Sequence, residues 1–273
     1  MRLPTFYIAH GGGPCFFMEP MPGIPADTWK RMEAYLRGLA ATLPQQPKAV
    51  LVVSAHWECD RATVLSAGEH TLLYDYYGFP ELTYELRYPA HGAPQLAARV
   101  RELVAAAGIE SEEEYERGLD HGVFIPFMLI YPQADIPIVQ LSLLHSLDPA
   151  QHLALGHALA PLRDEGVLIV GSGMSYHNLR ELLAPGAPTD QASRNFDTWL
   201  GDAVTAEAGE RERLLAEWHK APDARTCHPR SEHLLPLMVV AGAAGNDAGH
   251  IDYRDNILGK QVSAFRFGQA APN

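Results

Sequence analysis

Three histidines follow apolar segments of the chain, at points where strands of a sheet are expected to end. His10 follows a short apolar run and precedes three consecutive glycines. His56 follows the aliphatic segment 49–54, and His177 lies shortly after the segment 167–171. In open sheets of parallel strands, ligands bind just beyond the carboxyl ends of the strands, because loops and helix N-termini converge there. We therefore predict that these histidines meet around one metal ion.

A further histidine, His233, lies at the predicted start of a buried helix, close in sequence to His228 and Glu232. The chain has 13 histidines, and most histidines in proteins are surface residues or hydrogen-bonded core residues, so position must identify the ligands. The glycines that follow His10 permit a close approach of the backbone to a bound group. We select His10, His56 and His233 as the candidate ligands.

The segment His10–Gly13 also resembles the oxyanion loop of esterases. An esterase would need a Gly-x-Ser-x-Gly turn between a strand and a helix. The nearest segment, Gly171–Ser175, has its serines in the wrong register. The glycines do not form a dinucleotide-binding or P-loop motif in the right context either. The sequence therefore disfavours a serine hydrolase.

The length and composition predict one large α/β domain over residues 1–273. Lys and Arg number 21 against 33 Asp and Glu, for a net charge of -12 without a dense basic run, which disfavours nucleic acid as a partner. The apolar stretches are too short for a membrane span, and no leader precedes the first strand. The three cysteines have no metal-knuckle spacing. These features predict a soluble cytoplasmic protein.

The hydrophobic pattern predicts an α/β fold with a central, mostly parallel or mixed sheet and helices on both faces. Continuous aliphatic runs are typical of parallel strands that are covered on both sides, whereas apolar residues three or four positions apart indicate helices. Strands are predicted over residues 5–9, 49–54, 63–66, 137–141, 167–170 and 262–267, the last as an edge strand. Helices are predicted over residues 29–39, 94–107, 149–162, 190–206, 210–218 and 231–243.

Polar residues give more local expectations. Asp27 or Thr28 is expected to cap the first helix. The acidic segment 110–116 is expected to be a solvated patch without a role. His152 and His157 are five positions apart, which places them on different faces of one helix, and both are expected at the surface.

The segment 70–91 is rich in aromatic side chains and has little regular pattern. Such a loop could wall a pocket for a planar substrate, or it could simply pack on the body or form a subunit contact. Both interpretations stay open at this point. The aromatic residues are Tyr74, Tyr76, Tyr77, Phe79, Tyr84 and Tyr88.

Five motifs, in consistent order between residue 5 and about residue 240, resemble the class III extradiol ring-cleavage dioxygenases. This superfamily includes the catalytic subunit of protocatechuate 4,5-dioxygenase, and the resemblance is to its DOPA 4,5-dioxygenase branch. No single motif is decisive, but five in order are specific. The motifs are His10–Pro14, Ser54–Trp57, Gly118–Gly122, Gly171–Asn178 and His228–Pro236.

The resemblance implies ring-opening of a catechol by dioxygen at one non-haem ferrous ion. The ligands would be the residues matching His10, His56 and His233. His177 matches the family's catalytic base, and His121 matches a histidine that assists proton transfer and oxygen binding. Zinc is an alternative occupant. We also predict substrate contacts for three residues, Trp57, Tyr176 and His228.

The third ligand is the least certain part of this assignment. Other members of the superfamily use two histidines and a glutamate, and here Glu232 and His233 are neighbours of which only one can readily face the metal. Neutral imidazole ligands would leave the charge of the cation intact and favour a catecholate. A histidine has the right pKa to remove a phenolic proton. The partners are then an aromatic diol and dioxygen, and a homo-oligomer is left open.

Two alternatives belong to other classes. Zinc at the same site would generate hydroxide for a hydrolase, since zinc has no redox chemistry. The scaffold could also bind metal without catalysing a reaction. The sequence does not separate DOPA from other dihydroxyphenyl compounds as the substrate.

Overall fold

A mixed sheet forms the centre of the molecule. The computed structural model describes residues 2–182 and 189–270. Within these residues the strand order across the sheet is β4, β3, β5, β2, β6, β1, β8, β7. The strands are β1 Thr5–Ala9, β2 Ala49–Cys59, β3 Ala62–Leu65, β4 Ser111–Glu114, β5 Ile138–Leu144, β6 Val167–Gly173, β7 Gly249–Ile257 and β8 Lys260–Phe267.

Four parallel strands occupy the middle of the sheet. β5 pairs with β2, β2 with β6, and β6 with β1, all in parallel. Their side chains are almost entirely buried, because helices cover both faces, and this explains the continuous aliphatic runs. Since the strands are parallel, their carboxyl ends lie at one rim of the sheet. That rim carries the histidines selected above.

The two edges of the sheet differ from the prediction. The acidic segment 110–116 contains β4, which pairs in parallel with β3, so it is an edge strand and not only a solvated patch. β8 was predicted as an edge strand, but it lies between β1 and β7. β7 itself is the edge, and its polar residues on the solvent side hide it from a search for apolar runs.

Helices cover both faces of the sheet. Ser172 in β6 donates a hydrogen bond to the carbonyl of Gly122, on one face. A Cβ on the preceding Gly171 would lie 2.4 Å from the carbonyl oxygen of Pro236, on the other. Successive strand residues point to opposite faces, so the helices that contain Gly122 and Pro236 enclose the sheet. This confirms the predicted fold class.

The six predicted helices are present, although 149–162 ends in a 3₁₀ turn over Ala160–Arg163 and the helix predicted from residue 231 begins at Leu235. Helices over His121–Ile130, Leu179–Leu182 and Ala224–Cys227 are additional to the prediction. No helix in the described part of the chain is long and apolar enough to cross a membrane. The helices are α1 Lys30–Leu39, α2 Pro94–Ala106, α3 His121–Ile130, α4 Pro149–Leu159, α5 Leu179–Leu182, α6 Thr189–Thr205, α7 Ala208–Ala216, α8 Ala224–Cys227 and α9 Leu235–Ala244.

The α4–α9 layer, formed by these two helices, is packed closely through two glycines. A Cβ on Gly156 would lie 2.1 Å from the carbonyl oxygen of Val239, and one on Gly242 would lie 2.2 Å from that of Leu153. No real Cβ fits at such distances from backbone atoms, so only glycine allows this approach. All of α9 is buried as a result.

Two local predictions are wrong. His152 is fully buried, because α4 lies beneath other helices that the sequence pattern of α4 does not reveal. Its Nδ1 lies 2.7 Å from the carbonyl of Asp148, and its Nε2 accepts from the amide of Leu144. His157 is half exposed, as predicted. The N-cap of α1 is Trp29, which makes no side-chain capping bond, so the predicted cap is not formed.

Candidate metal centre

Three histidines meet at the carboxyl rim of the parallel strands. One ring nitrogen from each of His10, His56 and His233 lies within 4.8 Å of the others. The Nε2 atoms of His10 and His56 are 3.2 Å apart. His10 follows the end of β1, His56 lies where the pairing of β2 with β5 shifts register, and His233 precedes α9. Long-range topology therefore joins residues that are 46 and 177 positions apart in sequence.

The ring of His10 is oriented from behind by Ser172. Its Nδ1 lies 3.0 Å from the Oγ of Ser172, and that hydroxyl donates its own hydrogen to the carbonyl of Gly122. The oxygen must then accept from His10, so Nδ1 carries the ring proton. The Nε2 atom of His10 therefore keeps a free lone pair, which is directed toward the rings of His56 and His233.

His233 is held by both its ring and its backbone. Its Nδ1 lies 2.9 Å from Oε1 of Glu232, which leaves Nε2 for the centre of the cluster. Its carbonyl oxygen accepts bonds from the hydroxyl of Tyr7, at 2.6 Å, and from the amide of Met174. A Cβ on Gly173 would lie 2.1 Å from that same oxygen. The backbone of His233 therefore requires a glycine at position 173, and these contacts restrict its movement.

His56 is anchored through its carbonyl and through Asp75. Arg117 donates to the carbonyl of His56 at 3.1 Å, and Nδ1 of His56 lies 3.5 Å from Oδ2 of Asp75. The same arginine is 3.2 Å from Asp120, a fully buried carboxylate that also accepts from Ser54 at 2.7 Å. These groups tie the irregular part of β2 to the start of α3.

Two more histidines complete a group that we call the rim cluster. His121 directs its Nδ1 to Oδ1 of Asp75 at 2.8 Å, and its ring centroid is 4.0 Å from that of His56. His177 stacks on His233 at 3.3 Å, with its Nδ1 3.2 Å from Oε1 of Glu232. The rim cluster consists of His10, His56, His121, His177 and His233.

The electrostatics of the rim cluster suit a cation. Burial, reinforced by the neighbouring imidazoles, lowers the pKa of His10 well below its usual value and that of His56 to about 4. Burial likewise lowers the pKa of His233. Burial alone would raise the pKa of Glu232, but hydrogen bonds from His177 and His233 outweigh it and lower that pKa. His10, His56 and His233 are therefore neutral, and the carboxylate of Glu232 is charged, at neutral pH.

A cavity of about 1020 Å³ opens onto the rim cluster. The predicted contact residue Tyr176 lines it, and so do Tyr76, Tyr77 and Phe79 of the aromatic segment. Other tyrosines of that segment use their hydroxyls on backbone carbonyls, as Tyr74 does with Leu86. One part of segment 70–91 therefore forms the pocket wall, and another part packs on the body of the protein.

Two predicted substrate contacts lie away from this cavity. Trp57 follows His56 in β2, and its ring lies against Arg117 at 4.8 Å. His228 is fully buried between Phe196 and Trp218. Neither side chain is part of the cavity wall. Neither residue is therefore proposed to contact a substrate in this cavity.

Sequence reasoning missed the residues that orient the histidines. They are Tyr7, Asp75, Arg117, Asp120 and Ser172. A weak signal existed for Asp120, which directly precedes His121, and for Ser172, which follows the predicted strand 167–170 and lies within β6. None existed for Asp75, since it lies in an irregular loop.

Residues 4–266 match the family described as the catalytic LigB subunit of aromatic ring-opening dioxygenase. The chain belongs to this family. The LigB chain is 42% identical to a 4,5-DOPA dioxygenase extradiol of Beta vulgaris, over 89% of this chain and 88% of that protein. It is 37% identical to the dioxygenase tasH of Hapsidospora irregularis, over 97% and 85% of the two chains.

A solved structure shares the fold of this chain. The crystal structure of an uncharacterized protein of Escherichia coli K12 matches with a TM-score of 0.76 and 31% identity. The match covers 98% of this LigB chain and all of the other. The resemblance to the DOPA branch of the class III extradiol enzymes is therefore confirmed. The protein is an extradiol ring-cleaving dioxygenase.

Proposed function

We propose that this dioxygenase opens the ring of a catechol at one ferrous ion, held by His10, His56 and His233. The observation that carries the proposal is the convergence of their ring nitrogens within 4.8 Å. His10 and His233 each present Nε2 because an oxygen of Ser172 or Glu232 holds the opposite nitrogen. Neutral imidazole suits divalent iron. Iron would supply the redox chemistry between the diol and dioxygen, which zinc lacks.

We assign Glu232 to a supporting role and not to the metal. Its Oε1 lies 2.9 Å from Nδ1 of His233 and 3.2 Å from Nδ1 of His177, so it faces the back of both rings. Such carboxylates fix the tautomer and orientation of a ligating imidazole. We therefore propose His233, and not Glu232, as the third ligand.

His177 is proposed as the base that removes a phenolic proton. Its Nδ1 is held by Glu232, which leaves Nε2 to accept the proton. The side chain is 21% exposed and lines the cavity, so a ring bound beside His233 is within its reach. The carboxylate behind it would stabilise the imidazolium that forms.

His121 is proposed as a second proton carrier on the opposite side of the cluster. Its Nδ1 and its backbone amide both donate to Oδ1 of Asp75, at 2.8 and 3.0 Å. The orientation leaves Nε2 toward the cavity, where it can hold a proton at the reacting oxygen atoms. Tyr176, also in the wall, is proposed to contact the substrate ring.

The test is anaerobic loading with ferrous iron, followed by a catechol and air. The expected result is oxygen uptake with the appearance of a yellow semialdehyde. Zinc-loaded protein serves as the matched control and is expected to be silent. Silence of the iron form with a broad catechol panel would overturn the proposal, and ester or amide hydrolysis by the zinc form would select the hydrolase instead.

We also propose that the protein works in the cytoplasm. The support is that Cys15, Cys59 and Cys227 are all unpaired, as thiols are in a reducing compartment. Burial raises the pKa of Cys227 to about 12, so this thiol is inert. Fractionation of the native host followed by immunodetection checks this, and recovery from an oxidising compartment would contradict it.

A further inference from the structure

The cavity extends from the rim cluster into a region that we call the apolar wall. Phe16 and Trp29 meet edge to face there, with centroids 6.3 Å apart. Phe79 packs so tightly on the glycine loop that a Cβ on Gly13 would lie 2.9 Å from its ring. The apolar wall consists of Phe16, Met18, Met21, Ile24, Trp29 and Phe79.

An aromatic surface connects the rim cluster to this wall. The ring of Tyr76 lies 5.8 Å from that of His121 and 5.5 Å from that of Phe79. The hydroxyl of Tyr76 donates to the carbonyl of Thr83 at 2.6 Å, so it makes no demand on a ligand. A substituent on a ring bound at the rim cluster would therefore lie along carbon surfaces.

Three large apolar side chains of the cavity lining are exposed. Met21 is 46% exposed, Tyr77 88% and Leu179 64%, and all three line the cavity. Large apolar groups that remain exposed around one concave site mark a place where apolar material binds. These exposed side chains line the same cavity as the apolar wall, so binding of one apolar group would account for both.

The charges of the cavity do not favour a free carboxylate on the substrate. Arg230 makes two bonds of 2.5 Å to Glu58 and lies 3.3 Å from Glu232, so two carboxylates already balance its charge. Lys30 is exposed at the outer side, where water screens it. Arg230 and Lys30 are the lining Lys and Arg residues within the described part of the chain.

From these observations we infer that the substrate is a catechol carrying a bulky apolar substituent without a carboxylate, and that this substituent lies along the apolar wall. The inference rests on the proposed function, since it takes the catechol ring to be bound at the rim cluster. The cavity of about 1020 Å³ is at the upper end for drug-sized ligands, which occupy roughly 300 to 1,000 Å³. The ring of a simple catechol would leave most of it empty.

The first experiment compares substrates of equal length and different charge. Iron-loaded protein is given DOPA, hydrocaffeate, dopamine and 4-propylcatechol, and then 3-phenylcatechol and 4-phenylcatechol. We expect kcat/KM for 4-propylcatechol to exceed that for DOPA by about tenfold, and the better phenyl isomer to exceed both, as burial of an apolar group implies. A DOPA value equal to or above that of 4-propylcatechol would overturn the inference.

Calorimetry on zinc-loaded protein measures binding without turnover and separates the two proposals. Tightest binding of a phenylcatechol supports the inference even if the iron form opens no ring, which would instead refute the proposed function. Ring opening with equal binding of charged and apolar catechols supports the proposed function and overturns the inference.

Two variants place a charge in the wall. Met21→Glu and Ile24→Glu are expected to lower the kcat/KM ratio of phenylcatechol to DOPA by about tenfold. The matched control is Tyr115→Glu, which adds the same charge at an exposed side chain outside the cavity and should leave the ratio within about twofold. An unchanged ratio in both wall variants would contradict the assigned site.

Discussion

Buried histidines occur in two regions of this dioxygenase, and they are buried for different reasons. In the α4–α9 layer, His152 uses both ring nitrogens on backbone groups of Asp148 and Leu144. Elsewhere in the core, between Phe196 and Trp218, His228 lies 2.9 Å from the carbonyl of Ser175 through Nε2. These rings act as packing and as hydrogen-bonding partners of the main chain.

The rim cluster has the same burial but a different use of the rings. His10 and His233 turn Nδ1 to Ser172 and Glu232 and leave Nε2 facing a cavity. Burial lowers the pKa of histidines in both regions, so neither burial nor pKa identifies the functional ones. What separates the regions is the convergence of unused nitrogens on one open space.

The strongest test of this difference removes a rim nitrogen. His233→Ala is expected to abolish metal binding and turnover, since two imidazoles remain where three converged. Metal content after anaerobic loading and oxygen uptake measure the effect. His157→Ala, at a half-exposed histidine of α4, is the control and should retain both. Full metal content in His233→Ala would exclude this residue as a ligand.

The next variant separates binding from proton transfer within the rim. His177→Ala should lower kcat by about 10² to 10⁴, the usual contribution of a general base, while the metal content stays unchanged. Rapid-mixing measurements of ring opening and metal analysis on one sample check both. Loss of metal along with activity would make His177 a ligand and contradict its role as base.

Buried histidines outside the rim cluster are instead expected to make the free energy of unfolding depend on pH in the acid range. Burial lowers the pKa of His228 to about 4, against about 6.5 in the unfolded chain. The unfolded state therefore binds more protons between these pH values, so stability falls as pH drops from about 6.5 to 4, by about 3 kcal/mol in total. Above pH 6.5 this contribution is constant.

His228→Gln keeps a hydrogen-bond donor for Ser175 without a titrating group. Denaturant unfolding at several pH values should show a flatter acid limb in this variant than in the parent protein, with turnover at neutral pH little affected. An acid limb of unchanged slope would show that the other buried histidines account for it.

The smallest expected effect concerns packing in the α4–α9 layer. Gly156→Ala would place a Cβ 2.1 Å from a backbone oxygen and should lower the free energy of unfolding by about 2 kcal/mol. Gly209→Ala is the matched control, because nothing lies within 4 Å of its added methyl group, and a helix favours alanine. Thermal unfolding measures both. Equal melting temperatures would mean that the layer relaxes without cost.

Much of the fold could be predicted because its signals are local. The strand before His10 is a short apolar run, the segment before His56 is a continuous aliphatic run, and the helix from Pro94 has its proline in the first turn. The amphipathic edge strand β7 was missed, since its alternating polar residues resemble a loop when no partner strand is known. His152 was misplaced because helix periodicity shows which residues share a face and not whether another helix covers it.

The sequence by itself determined which side chains could carry the chemistry: histidines after buried strands, a candidate base in His177 and a glycine loop beside His10. Only the tertiary structure decided how they are oriented. The hydroxyl of Tyr7 holds the backbone of His233, 226 positions away, and Asp75 in an irregular loop directs His121. Such contacts depend on distances between elements remote in sequence. Local patterns of hydrophobicity and secondary-structure propensity do not predict these contacts.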